Sequence, residues 1–213
     1  MDAANPSVFR LPLIAILRGI PAHDALAHVG ALVDEGYDAI EIPLNSPDWH
    51  ESIRDATGQF GARATIGAGT VLREADVDAL HALGVRFIVT PNTRPALIRH
   101  ALAAGMQVAA GFATASEAFD AIDAGAQMLK LFPASVYGPA LVRALRAVLP
   151  PVPLFVVGGV TPTTLADFLA AGSVGAGIGG ELYRPGQAVE QTRQHARAFR
   201  QAYQAFHATS LQR

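Results

Sequence analysis

The sequence predicts an α/β protein, a single compact (β/α)8 TIM barrel over residues 1–213. Three observations carry that reading: eight short apolar runs alternate with Ala-rich amphipathic stretches, glycines punctuate the alternation, and no composition break or linker divides the chain. A doubly wound parallel sheet is the alternative for the same alternation. The apolar runs are Leu13 to Leu17, Ala39 to Leu44, Ala64 to Ala68, Phe87 to Thr90, Gln107 to Gly111, Met128 to Phe132, Leu154 to Val157 and Ala176 to Ile178. Each is short and continuously apolar, as a strand covered on both faces requires. Helical patterns begin near Ala22, Asp48, Glu74, Arg94, Ser116, Pro139 and Thr163, and a longer one runs from about Gln187 to Phe206. Gly36, Gly84, Gly105, Gly125 and Gly172 stand where helices should end, because glycine takes the left-handed conformation at little steric cost. Ser46-Pro47, Thr114 to Glu117 as a capping box, and Thr161-Pro162 mark helix starts.

Composition excludes several function classes. Hydrophobic residues make up 51% and charged residues 16%, and 16 Lys+Arg against 18 Asp+Glu give a net charge of −2. That balance supplies no basic face for nucleic acid and no polybasic membrane anchor. The chain has no Cys, which removes disulfides, thiolate metal sites and a catalytic thiol, and a cytoplasmic location is expected. The amino-terminal run is interrupted by Arg10, Pro12 and Arg18 and reads as neither a signal nor a transit peptide. No apolar span has the length of a bilayer. Among the basic residues, Lys130 is the only lysine.

Three charged residues interrupt strands that should otherwise be apolar. Arg18 ends the first run, Glu41 lies between Ile40 and Ile42, and Lys130 lies between Leu129 and Leu131. A charge in mid-strand is costly without a partner or a task. One reading is a buried ion-pair network; the other is an active site, since all three fall toward the carboxyl ends of their strands, where barrel enzymes keep their chemistry. A buried amine near a second cation loses its proton more readily and becomes a nucleophile toward carbonyls, which a guanidinium cannot do. Glu41 is the complementary group, a carboxylate that burial pushes toward a pKa suited to proton transfer. Amine plus carboxylate is a Schiff-base constellation. A lone lysine in an Arg-biased chain is the chance alternative.

Glycines form a third feature. Gly158-Gly159 follows the seventh run, and Gly175, Gly177, Gly179 and Gly180 surround the eighth. Loops after strands seven and eight of a barrel, with bare backbone N–H groups, suit a phosphate; tight turns need glycine as well. The Gly67-Ala68-Gly69-Thr70 stretch is similar in style and brings the Thr70 hydroxyl toward the same mouth. The seven His lie on helical or loop patterns without ligand spacing, so no metal is expected. Arg193, Arg197 and Arg200 read as a solvated face of the last helix, Trp49 and Tyr37 as packing residues, and Phe199, Tyr203 and Phe206 as capping the barrel or meeting a second subunit.

Six blocks carry a family resemblance: Leu17-Arg18-Gly19, Glu41 to Ser46, Gly67 to Val71, Val89 to Asn92, Lys130 to Pro133, and Gly158 to Pro162. In order and over nearly the whole chain, they resemble the signature blocks of the bacterial 2-keto-3-deoxy-6-phosphosugar-acid aldolases. The likeness is greater to the galactonate-type members, because gluconate-type members usually carry Arg at the position of Asn45 and Thr at that of Val157. Relatives often place Ser at the position of Gly180.

The resemblance implies a class I aldolase that needs no cofactor, assembles as a homotrimer and takes a phosphorylated keto-deoxy sugar acid. Lys130 would form the Schiff base, Glu41 would move protons, and Arg18 and Thr70 would hold the pyruvyl portion. Gly158, Gly159, Gly179 and Gly180 would hold the phosphate, and Val157 and Asn45 would set the preferred epimer. The rival activities are the C4-epimeric gluconate reaction, a barrel epimerase or isomerase using Lys130 and Glu41 without a covalent intermediate, and a binding barrel that has lost its chemistry.

Overall fold

Parallel strands cannot be joined by tight turns, so each must be followed by a crossover, and a helix is what buries the apolar face so created. The computed structural model describes residues 9–210, and the first eight residues of the amino-terminal segment read for targeting signals lie outside them. Eight strands, β1 (Leu13–Ile16), β2 (Ala39–Pro43), β3 (Thr65–Gly69), β4 (Phe87–Val89), β5 (Gln107–Phe112), β6 (Met128–Leu131), β7 (Leu154–Val157) and β8 (Gly175–Ile178), close into a barrel in sequence order. All pairs are parallel, and β8 returns to β1 with Ile14 opposite Gly177. The helices α1 (Ala22–Asp34), α2 (Trp49–Phe60), α3 (Glu74–Ala82), α4 (Pro95–Ala103), α5 (Ala115–Asp123), α6 (Ala134–Arg146), α7 (Leu165–Ala170) and α8 (Val189–Ser210) alternate with them. The eight-unit barrel expected from sequence is therefore the fold, and the doubly wound sheet is excluded. Among the described residues no helix is long and apolar enough to cross a membrane.

Side chains alternate along each strand. Leu13, Ala15, Ile40, Ile42, Ile66, Leu129, Leu131 and Val156 join the large cluster shared with the helices. Ile14, Ala39, Phe87, Val89, Ala109, Met128 and Phe155 form a second, smaller cluster inside the barrel. Phe9 belongs to the inner cluster, edge-on to Phe87 with ring centroids 5.3 Å apart and to Phe155 at 6.3 Å. These rings fill the amino-terminal end of the barrel. Glu41 and Lys130 share the parity of Ala39 and Met128, so both point inward, on strands that face each other across the eight-membered ring.

Most helix limits match the sequence pattern. Gly36, Gly84, Gly105, Gly125 and Gly172 all have positive φ at helix ends, and Thr114 and Glu117 form the expected capping box. Three local readings change. The sixth helix starts at Ala134 instead of Pro139, because its first turn precedes a break at Gly138 (φ 68°, ψ 174°). Ser46 does not cap α2; its hydroxyl accepts from the Gly19 N–H at 2.9 Å and ties two loops together. Thr161 opens a turn hydrogen-bonded to Thr164, and α7 begins only at Leu165.

The arginine face of α8 is also not simply solvated. Glu35, 5% exposed at the end of α1, receives Arg197 at 2.7 Å, Arg200 at 3.2 Å and Arg193 at 3.9 Å. The last helix is thereby locked onto the first. The Arg197 hydrogen bond, with the other two guanidiniums assisting, holds the Glu35 carboxyl below its ordinary range against the opposing effect of burial. A depressed carboxyl contributes stability that is complete above its ordinary pKa and fades as pH falls through the lower, folded value. Glu35→Ala should cost about 2 kcal/mol, between the values for exposed and buried pairs, in chemical denaturation at pH 7. The difference from the parent protein should shrink on acidification.

Candidate active site

Where the carboxyl ends of the strands open, a cavity of about 350 Å³ is lined by residues of β1, β7 and β8 and of the loops that follow β1, β3, β4, β6, β7 and β8. Arg18, Thr70, Val157, Gly158, Gly159, Gly179 and Gly180 all line it. Thus seven of the residues singled out in the sequence converge on one space. Asn45 is not in its wall, but its Oδ1 accepts from Arg18 Nη1 at 3.2 Å. The same guanidinium nitrogen donates to Thr70 Oγ1 at 3.4 Å. Thr70 holds this place with φ of +58°, a left-handed conformation unfavourable for a β-branched residue.

Lys130 and Glu41 lie below the cavity, 4% and 1% exposed. Lys130 Nζ is 5.3 Å from the ring centroid of Phe132, which itself lines the cavity. Both Glu41 carboxylate oxygens are buried without a hydrogen-bond partner in the protein. Space for that carboxylate exists because residue 69 is glycine: a Cβ there would meet Glu41 Oε1 and stand 2.8 Å from Cδ. Gly177 does the same for Val157, whose Cγ2 lies 2.8 Å from where a Cβ would be.

The electrostatics follow from burial. Desolvation pushes the Glu41 carboxyl above its ordinary range, and the attraction of Lys130 and Arg18 only partly opposes this. Desolvation pushes the Lys130 amine below its ordinary range; Glu41 opposes, while Arg18 adds its repulsion. The two groups therefore approach each other in proton affinity. Such an arrangement can supply both an unprotonated amine and a carboxyl able to give and take a proton.

Much of the wall made by β7, β8 and the loops after them is glycine backbone. Gly158 and Gly159 have φ of +96° and +71°, and a Cβ on Gly159 would stand 2.7 Å from the Ser135 side chain. A Cβ on Gly180 would meet no atom within 4 Å, so this corner is open. The charged lining residues are Arg18 and Glu181. Sequence reasoning misses Glu181, although it directly follows the glycine pair, and gives no separate role to Pro91 or Phe132, although both stand in the quoted blocks. It also groups Gly69 with phosphate-type loops, whereas its function here is to make room for Glu41.

Comparisons with known proteins agree with this geometry. The family model described as "Aldolase: KDPG and KHG aldolase" matches residues 6–197. A 2-dehydro-3-deoxy-6-phosphogalactonate aldolase of Escherichia coli strain K12 is 56% identical over 91% of this chain and 95% of its own. A probable enzyme of the same name from Rhizobium meliloti is 48% identical over 96% of this chain and 97% of its own. A solved structure described as native KDPGal superposes with a TM-score of 0.92 at 55% identity, covering 93% of this chain and 97% of its own. With its barrel, its inward amine and carboxyl and this match over nearly its full length, the chain belongs to the KDPG and KHG aldolase family.

Proposed function

We propose that this protein is a Schiff-base aldolase that cleaves 2-dehydro-3-deoxy-6-phosphogalactonate to pyruvate and glyceraldehyde 3-phosphate. The observation that carries the proposal is the placement of the chain's only lysine, buried under the cavity and opposite a buried carboxyl. Lys130 Nζ adds to the C2 ketone, and loss of water leaves an iminium. Glu41, directly or through a water, removes the proton of the C4 hydroxyl. The C3–C4 bonding pair then moves toward the iminium nitrogen, giving an enamine and releasing the aldehyde. Return of the proton from Glu41 to C3 regenerates an iminium, and its hydrolysis frees pyruvate and Lys130.

Arg18 and Thr70, joined at 3.4 Å, are suited to hold the pyruvyl carboxylate. The bare N–H groups around Gly158, Gly159, Gly179 and Gly180 are suited to the phosphate, and binding there orients the bond to be cleaved. Val157, 6% exposed and lining the cavity, presents an apolar surface where a Thr would offer a hydroxyl to C4. The names carried by the relatives at 56% and 48% identity favour the galactonate epimer over the gluconate one.

A homotrimer in the cytoplasm completes the reading. Exposed apolar Phe119 on α5 and Val136 and Tyr137 on neighbouring α6 support a subunit contact, and a sedimentation mass of one chain would count against it.

Borohydride reduction in the presence of pyruvate, followed by peptide mass spectrometry, tests the chemistry. A pyruvyl adduct on Lys130, absent in Lys130→Arg, is expected; active protein without the adduct would favour the noncovalent epimerase. The epimer preference is tested with Val157→Thr. One added hydrogen bond should shift the ratio of kcat/KM values toward the gluconate epimer by about fivefold to tenfold. An unchanged ratio removes Val157 from the specificity argument.

A further inference from the structure

At the opposite end of the barrel, where β1, β2 and β3 begin, lies a larger cavity of about 660 Å³ that takes no part in the proposed reaction. Its charged lining residues are Arg10, Arg63 and Arg200, and among the described residues no carboxylate stands in its wall. Gln204 adds a neutral polar group at the α8 side. Their acidic partners lie outside the lining. Arg10 Nε reaches Asp38 at 3.2 Å, Arg63 Nη2 reaches Asp34 at 3.2 Å, and Arg200 Nη2 reaches Glu35 at 3.2 Å.

Those carboxylates are shared or otherwise occupied. Asp34 also receives Arg193, and Glu35 also receives Arg193 and Arg197. Asp38 accepts the backbone N–H groups of Arg10 and Leu11. Five arginines (10, 63, 193, 197 and 200) thus face three carboxylates (34, 35 and 38), or four when Glu190, which reaches Arg193 at 3.5 Å, is included. In a chain of net charge −2 this ion-pair cluster carries a positive surplus, and three of its five arginines line the cavity.

Donor geometry points the same way. A guanidinium carries five N–H donors in a planar fork, and each of the three lining arginines commits only part of its fork to the protein. Arg63 makes one side-chain contact of this kind, to Asp34. An oxyanion between the three forks would accept from the outward N–H donors that these contacts leave over.

We propose that this cavity binds a multivalent oxyanion, a polycarboxylate or a phosphorylated metabolite, bridging Arg10, Arg63 and Arg200 between the first strands and α8. The site is distinct from the substrate cavity, since no lining residue is common to the two. Its occupation ties α8 to the loops before β1 and β3 and stabilises the folded chain by mass action.

Isothermal titration calorimetry of the full chain with citrate, and separately with pyrophosphate, at low ionic strength tests this. Saturable binding of at least one anion is expected, and which of them binds separates a carboxylate from a phosphoryl ligand. Arg63→Gln, at an exposed position, should weaken that binding about tenfold, the loss of one charge-assisted contact. Gly159→Ala, which closes the glycine wall of the other cavity, should leave it unchanged, with thermal melting confirming that both variants fold. No saturable binding of either anion, undiminished binding by Arg63→Gln, or an equal loss in Gly159→Ala would overturn the proposal.

Discussion

Two buried charges that the barrel interior does not pair by itself govern this structure. Lys130 and Glu41 project inward from opposite strands, and Arg18 overlooks them from the mouth. The carboxylate oxygens of Glu41 have no hydrogen-bond partner, and among the described residues no ion pair within 4 Å joins Glu41 to Lys130. An uncompensated buried charge costs several kcal/mol, on the order of the net stability of a domain, and groups so placed shift their pKa toward neutrality instead. Burial therefore raises the carboxyl and lowers the amine. The chemistry proposed at neutral pH would follow from withholding the partners that would quiet both groups.

The rest of the barrel is arranged around that cost. Aromatic packing of Phe9, Phe87 and Phe155 consolidates the amino-terminal end, where nothing reacts. The Glu35–arginine cluster fixes the last helix to the first. At the carboxyl-terminal end the strands thin to glycine, which leaves volume for the Glu41 carboxylate at Gly69 and for Val157 at Gly177. Stability and the proposed reactivity thus occupy opposite ends of the same strands, the division of labour usual in this fold.

How legible this was in the sequence depended on the range of the interaction. Strand limits came from local apolar runs, and β7 (Leu154–Val157) matches its sequence range at both ends. Glu41 and Lys130 stood out because a single charge inside such a run has no local explanation. Long-range partners left no trace: Arg193, Arg197 and Arg200 fall on one helical face, but Glu35, which gathers them, lies 162 residues from Arg197. Pro139 looked like a first helical residue because proline favours that position, and the kink that places an earlier turn before Gly138 has no pattern of its own. Gly69 was seen as a loop glycine because only the fold reveals which side chain needs its space.

The lone lysine makes the central claim directly measurable, since selective labelling of lysine side chains gives one signal from the whole chain. Following the Lys130 resonance by NMR as pH is varied reports its titration without any assumption about substrate. The expected midpoint lies below the ordinary lysine value of 10.5 and rises when Arg18 is replaced by Met, because one source of repulsion is removed. A midpoint at or above the ordinary value would mean that Glu41 simply neutralises a protonated amine. That result would contradict the account.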